Sequence, residues 1–416
     1  MSVGSTENAP LRDPGLAVMG GEPVRRAPMP TRFAIGDDEI RRVNEVFAYY
    51  RDRDADPGYQ GHFEKLYCEA FVRYMGGGHA DSVATGTAAL FVAVAALELP
   101  ANSEIIVSAI TDPGSISAII LNGFTPRLAD TARGSYNMGP EQFVDRITPE
   151  TRAVMVVHAA GQAAHIDEIA VEARRRDIRV IEDCSQAHGA RLNAKLVGTF
   201  GDIAAVSTMY RKAHATGASG GLVYSTDRDL YRNAMAHADR GKPRWRDDFD
   251  DRDPTNYLFP ALNLHTDEIS CAIGLASLAR LPETIRMRLD YVKGLDHLQE
   301  ISGLCRPYGW TGGDSPFFYP ILVDTAQLPC AKKDFAEAIL AEGIGLNPHY
   351  NYVVAEWPWV IPYLSDDFPC PNAQDIRDRS FNLYVNEKYG EAEIEDTLTA
   401  ILKVEAILNL LSPGPN

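Results

Sequence analysis

IEDCSQAHGA (Ile181 to Ala190) continues an apolar run that starts at Arg179, and it sets Asp183, Gln186 and His188 close together where that run ends. A short β-branched run bounded by turn-forming residues reads as a buried strand, here Arg179 to Cys184. In an open α/β sheet ligands sit beyond the carboxyl ends of the strands, so polar residues at this position are candidate site residues. A single Asp there is more often a helix cap or a turn. Its neighbours along the chain decide between the two.

On either side of this stretch, short apolar runs alternate with longer amphipathic ones, the pattern of strands joined by crossover helices. The remaining strand candidates are Ser82 to Thr85, Glu104 to Ala109, Thr125 to Asp130, Ala153 to His158, Ile203 to Thr208 and Gly220 to Ser225. Helices are expected over Ala88 to Leu97, Gly114 to Asn122 and Ile166 to Arg176, with two more, Asp37 to Tyr50 and His62 to Tyr74, ahead of the first strand. A charged stretch, Arg240 to Pro254, reads as a surface excursion before a helix from Thr266 to Leu281. Beyond it the texture changes to an apolar strand (Phe317 to Asp324), a helix near Lys332 to Glu342 and a last helix from Glu391 to Leu411. The expected organisation is an N-terminal arm (1–32), a large α/β domain with a mostly parallel sheet (33–285) and a small α+β domain (286–416).

Two further runs end strands with chemically useful residues. ATGTAAL (Ala84 to Leu90) puts Gly86 and Thr87 where a strand gives way to a helix, offering backbone N–H groups and a hydroxyl to a phosphate, although a plain strand-to-helix turn explains it as well. STMYRKAHATGASGG (Ser207 to Gly221) carries Lys212 between a serine and a glycine-rich return. A lone lysine is nearly always a solvated charge. One held in a cleft beside apolar walls and another cation, here Arg211, can have a lowered pKa and act as an amine nucleophile.

Together the three runs resemble those of the DegT/StrS-type sugar aminotransferases, members of the aspartate-aminotransferase fold (fold type I) of pyridoxal 5′-phosphate (PLP) enzymes. The resemblance spans roughly Asp38 to Leu411, and the Asp183-x-x-Gln186-Ala187-His188-Gly189 run is its most specific part. It implies a three-layer PLP domain with a small C-terminal domain, and a homodimer with shared active sites. It also implies that Lys212 holds the cofactor as a Schiff base and shuttles a proton, that Asp183 pairs with the protonated pyridine nitrogen, and that Gln186 lies near the ring hydroxyl. His188 of the same run joins the catalytic set. Ser207, Gly86 and Thr87 would take the phosphate, and Asn263 would reach the phosphate of the neighbouring subunit, although a helix cap is the alternative for Asn263. His349 and Tyr350 match the segment at the substrate mouth, where Arg211 and His214 are further candidates. No metal is implied.

The sequence departs from that pattern in places. The aromatic residue that usually covers the cofactor ring is replaced by Asp112, so the ring contact comes from elsewhere or Asp112 has a polar task toward the substrate. The return after the lysine reads Gly217-Ala218-Ser219-Gly220, and Leu264-His265 follows Asn263. The resulting expectation is amino transfer from glutamate or glutamine to a keto-sugar, often nucleotide-linked, or to a keto-cyclitol, with PLP cycling through pyridoxamine 5′-phosphate. The cations Arg211, Arg240, Lys242, Arg244 and Arg246 could meet an anionic acceptor. Relatives that carry histidine in place of the lysine dehydrate sugars instead, and His214 lies two residues past Lys212. Dehydration or aromatisation, or a binding protein without turnover, are the alternatives.

Bulk properties fit an enzyme that stays where it is made. The 416 residues, 45% hydrophobic and 23% charged, suit a globular chain with more than one core. A net charge of −17 repels nucleic acid and anionic lipid. The six cysteines are scattered singly, as expected of free thiols in a reducing cytoplasm. Neither a secretory leader nor an apolar run long enough to span a bilayer is expected.

Overall fold

The computed structural model describes residues 13–411, with side chains to residue 408. The seven strands read from the sequence are present and form one sheet: β1 (His79–Val83), β2 (Glu104–Ser108), β3 (Thr125–Ala129), β4 (Thr151–Val157), β5 (Arg179–Asp183), β6 (Ile203–Ser207) and β7 (Gly221–Ser225). Their order is β1-β7-β6-β5-β4-β2-β3. From β3 to β6 neighbouring strands are parallel, and β7 is antiparallel to both β6 and β1. Two reversals restore the direction, so β1 points the same way as β2 to β6. The carboxyl ends of β1, β2, β5 and β6 therefore open on one edge, and the segments that follow them meet there.

Helices α1 (Asp37–Arg51), α2 (His62–Met75), α3 (Gly86–Ala96), α4 (Pro113–Leu121), α5 (Ile166–Arg174), α6 (Arg228–Ala238) and α7 (Glu268–Gly294) pack around this sheet. The first crossover differs from expectation in a way that matters. Strand β1 stops at Val83, and the Thr85 hydroxyl accepts from Ala88 N at 2.8 Å as an N-cap, so α3 begins at Gly86 rather than Ala88. A cap satisfies one of the free N–H groups of the first turn and leaves those of Gly86 and Thr87 without helical acceptors.

Helix α7 also outruns its expected end at Leu281. It passes through Pro282 and residue 285 to Gly294, held by a buried face that includes Leu281, Thr284, Arg288, Leu289 and Val292. Tertiary burial here outweighs the hydrogen bond that Pro282 cannot make. The helix leads to a second sheet of β8 (Cys305–Pro307), β9 (Phe318–Val323), β10 (Leu346–Asn347) and β11 (Ser380–Tyr384), antiparallel throughout in the order β8-β9-β11-β10. Helices α8 (Lys332–Ala341), α9 (Pro371–Asp378) and α10 (Glu391–Leu411) accompany it, and its core takes in Leu16 from the N-terminal arm. The first 12 residues of that arm lie outside the described residues. From Asp13 onward the arm is seated: the buried Glu342 carboxylate accepts from Ala17 N and Val24 N, each at 3.0 Å, and Arg25 pairs with Glu393 and Asp396. Among the described residues no helix is long and apolar enough to cross a membrane.

Candidate active site

On the carboxyl edge of the large sheet lies a cavity of about 210 Å³. Helix α3 brings Gly86 and Thr87 to it, the turn after β2 brings Asp112, the end of β5 brings Asp183 and Gln186, and the end of β6 brings Ser207 with Lys212 behind it. Seven residues singled out in the sequence thus share one cavity.

The α3 end is shaped to take an anion. A Cβ on Gly86 would lie 2.4 Å from the Ser207 Cβ, so only glycine lets the first turn of the helix touch the end of β6. That approach sets the unused N–H groups of Gly86 and Thr87 beside the Ser207 hydroxyl, the donor set of a phosphate cradle. Ser207 N donates to Ser185 Oγ at 3.1 Å, tying β6 to the turn after β5.

Across the cavity Asp183 is 3% exposed. Its Oδ2 accepts from Ser115 Oγ at 2.9 Å and its Oδ1 from Ser185 N at 3.0 Å, and Ser115 Oγ is itself 2.7 Å from Thr111 Oγ1. A carboxylate offers about four acceptor sites, and two are engaged here. The carboxylate is oriented and keeps capacity for a protonated ring nitrogen. Lys212 is 8% exposed, and burial pushes its amine down to about 8 against the pull of Asp183 and Asp112. Its Nζ lies 4.3 Å from the centre of the Phe317 ring.

Residues 37–402 match the model of the DegT/DnrJ/EryC1/StrS aminotransferase family. The chain belongs to this family. It is 28% identical to a Micromonospora echinospora protein provisionally named L-glutamine:3-amino-2,3-dideoxy-scyllo-inosose aminotransferase, over 95% of this chain and 98% of that one. It is 34% identical to the L-glutamine:2-deoxy-scyllo-inosose aminotransferase of the same organism over 53% of this chain and 52% of the relative. Among solved structures, an aminotransferase from Psychrobacter cryohalolentis superposes with a TM-score of 0.83 at 25% identity, covering 92% of this chain and all of that one.

The cavity residues come from several crossovers, but other residues of the expected set do not line it. His188 and His214 are behind the Lys212 loop: His214 N donates to His188 Nδ1 at 3.1 Å, and His214 Nε2 is 2.6 Å from the Tyr67 hydroxyl. Burial drives His188 well below its usual range, and burial with Arg32 brings His214 down to about 3. Burial thus favours the neutral form of both rings, which brace the loop from inside. Arg211 is exposed beside the Tyr210 ring, 5.3 Å away. Asn263 is exposed too; its Oδ1 accepts from His265 N at 3.3 Å, while Leu264 O accepts from Ala84 N at 2.8 Å and fixes this segment beside β1.

His349 lies 3.4 Å from Lys332 Nζ, and burial together with that lysine lowers its pKa. Tyr350 is buried in a stack with Tyr352 at 4.6 Å, and burial raises its hydroxyl pKa against a hydrogen bond from Gln186. Asp112 caps α4 through Gly114 N at 2.9 Å while it lines the cavity.

The cations expected to meet an anionic acceptor are largely spent. Arg240 and Arg244 hold the buried Asp239 carboxylate at 2.8 and 2.7 Å, and Lys242 pairs with Asp251 at 2.6 Å. The sequence shows Asp239 directly before Arg240, but adjacency in the chain does not say that its carboxylate turns into the midst of these cations. Sequence reasoning also passes over Ser115, Ser185 and Phe317. Ser185 stands inside the Asp183–His188 run and is legible there, whereas Phe317 directly precedes β9, far along the chain, and has no local signal.

Proposed function

We propose that this chain is a PLP-dependent aminotransferase acting in the cytoplasm as a homodimer, and that it moves an amino group from glutamine or glutamate to a keto-cyclitol or keto-sugar. The observation that carries the reading is the buried Lys212 sharing one cavity with Asp183 and the Gly86–Thr87–Ser207 cradle. The residues fit the cofactor: the cradle would hold its phosphate, Gln186 its ring hydroxyl, and Asp183 a proton at its ring nitrogen. When bound, PLP supplies an electron sink for the carbanion formed next to nitrogen. The Lys212 amine, lowered to about 8, can form the covalent link and then carry the proton that amino transfer must move. Asn263, exposed and outside its own cavity, suits a role at the phosphate of the neighbouring subunit.

Two observations favour an acceptor without a diphosphate. The relatives named above are called scyllo-inosose aminotransferases, and three of the five candidate cations for a diphosphate, Arg240, Lys242 and Arg244, are paired with Asp239 and Asp251. Dehydration is the weaker reading, since Lys212 lines the cavity and His214 is engaged with Tyr67.

The test is the absorbance spectrum of the protein loaded with PLP, before and after glutamine or glutamate, beside Lys212→Ala. A band near roughly 410–430 nm that moves toward about 330 nm with donor, and is missing from the variant, is the expected result. A wild-type protein with no such band overturns the assignment of Lys212, and a band that both donors leave in place overturns amino transfer from them.

A further inference from the structure

The loop that carries Lys212 is held from two sides. On the inside, His188 Nδ1 accepts from His214 N at 3.1 Å and Ser277 Oγ accepts from Ala215 N at 3.0 Å. On the outside a side chain of the N-terminal arm reaches it. Arg32, in the N-terminal arm, donates to Tyr210 O at 2.7 Å and to Ala213 O at 3.1 Å, so one guanidinium spans the two carbonyls that bracket Lys212.

Arg32 does not act alone. Its Nε donates to Glu387 Oε1 at 2.8 Å, and the other oxygen of Glu387 accepts from Arg288 Nε at 3.2 Å and Nη2 at 3.0 Å. Arg288 projects from α7 with only 1% of its side chain exposed, and its Nη1 donates to Pro316 O at 3.1 Å. Pro316 precedes Phe317, whose ring lies against Lys212 Nζ. The chain of contacts therefore begins at the backbone on either side of Lys212 and returns to the side chain packed on its amine. Burial raises the Glu387 pKa, but Arg288 and Arg32 outweigh it and keep the carboxylate charged. Every donor in the chain is a planar fork matched to the carbonyls and carboxylate it meets, geometry that a lysine cannot reproduce.

We propose that Arg32, Glu387 and Arg288 form a clamp that positions the cofactor-binding lysine, setting the Lys212 loop and the Phe317 ring in register and making Lys212 placement depend on the seating of the N-terminal arm. The inference rests on the reading of Lys212 given above. None of the three is a catalytic residue. Each acts through Lys212, and their loss shows in how that lysine is presented rather than in whether the chain folds.

The test compares Arg32→Ala, Arg32→Lys and Glu387→Gln with wild type and with Arg146→Ala, which breaks a half-buried pair with Asp366 away from the loop. In the cofactor-free protein, hydrogen–deuterium exchange over residues 209–214 and 317–318 is expected to rise together, at least fivefold, in Arg32→Ala and Glu387→Gln and to stay at the wild-type level in Arg146→Ala. On addition of PLP, the lysine-linked band is expected to form at least tenfold more slowly in both. Arg32→Lys separates positioning from stability: its melting temperature is expected within about 2 °C of wild type while band formation stays slow. Exchange and band formation at wild-type rates in the Arg32 variants overturn the clamp, as does full recovery of the rate in Arg32→Lys. If Glu387→Gln does not fold, the two Arg32 variants, on the arm, still decide. A wild-type chain that forms no band at all overturns the reading of Lys212 instead.

Discussion

At the scale of single residues the site depends on what surrounds two of them. Burial lowers the Lys212 amine from the usual lysine range to about 8 despite two nearby carboxylates. A lowered pKa enlarges the neutral fraction at any given pH. Modification of the cofactor-free protein at Lys212 by an amine-directed reagent should therefore rise with a midpoint near pH 8, read by peptide mass mapping; a midpoint above about 10 would mean a solvated side chain. Gly86 is constrained by space, not by an unusual φ. Gly86→Ala forces a Cβ to within 2.4 Å of the Ser207 Cβ, so β6 and α3 must separate. The expected cost is about 1–3 kcal/mol of stability by thermal melting, with weaker cofactor binding by spectral titration.

At the scale of elements, the start of α3 is the decisive feature. The Thr85 cap fixes which N–H groups face the cavity, because it consumes that of Ala88 and leaves the two before it. Thr85→Val removes the acceptor while keeping the shape of the side chain. It should cost about 1 kcal/mol and loosen the first turn, lowering affinity for PLP several-fold in titration while leaving the Lys212 amine midpoint where it is. A variant that loses stability but keeps affinity would show that the cap serves only the helix.

At the scale of the whole molecule, the exposed Asn263 makes a prediction about assembly. If each cavity takes Lys212 from one subunit and Asn263 from the other, Lys212→Ala and Asn263→Ala homodimers are each impaired, but mixed dimers contain one intact site. Equal mixing with subunit exchange should restore about a quarter of wild-type activity, since half of the dimers are mixed and each has one of two sites intact. No recovery, with exchange confirmed by native mass spectrometry, would place Asn263 outside the shared site.

The amino-acid sequence by itself determined the elements of the large sheet and the runs that end its strands. Burial periodicity and turn residues are local: Asp183 and Ser207 end apolar runs, and Gln186 and Lys212 stand a few residues beyond them. It also carried the family resemblance, through the same local runs. What only the tertiary structure decided is which side chains meet. Asp239, adjacent in the chain to Arg240, is turned into the midst of the cations and neutralises them, and α7 continues past Pro282 because its face is buried. His188 and His214 face each other behind the lysine loop rather than the cavity, and Phe317 and Arg32 reach that loop from opposite ends of the chain. A charge or a ring acquires its role from the partner that folding brings to it, and no local pattern records that partner.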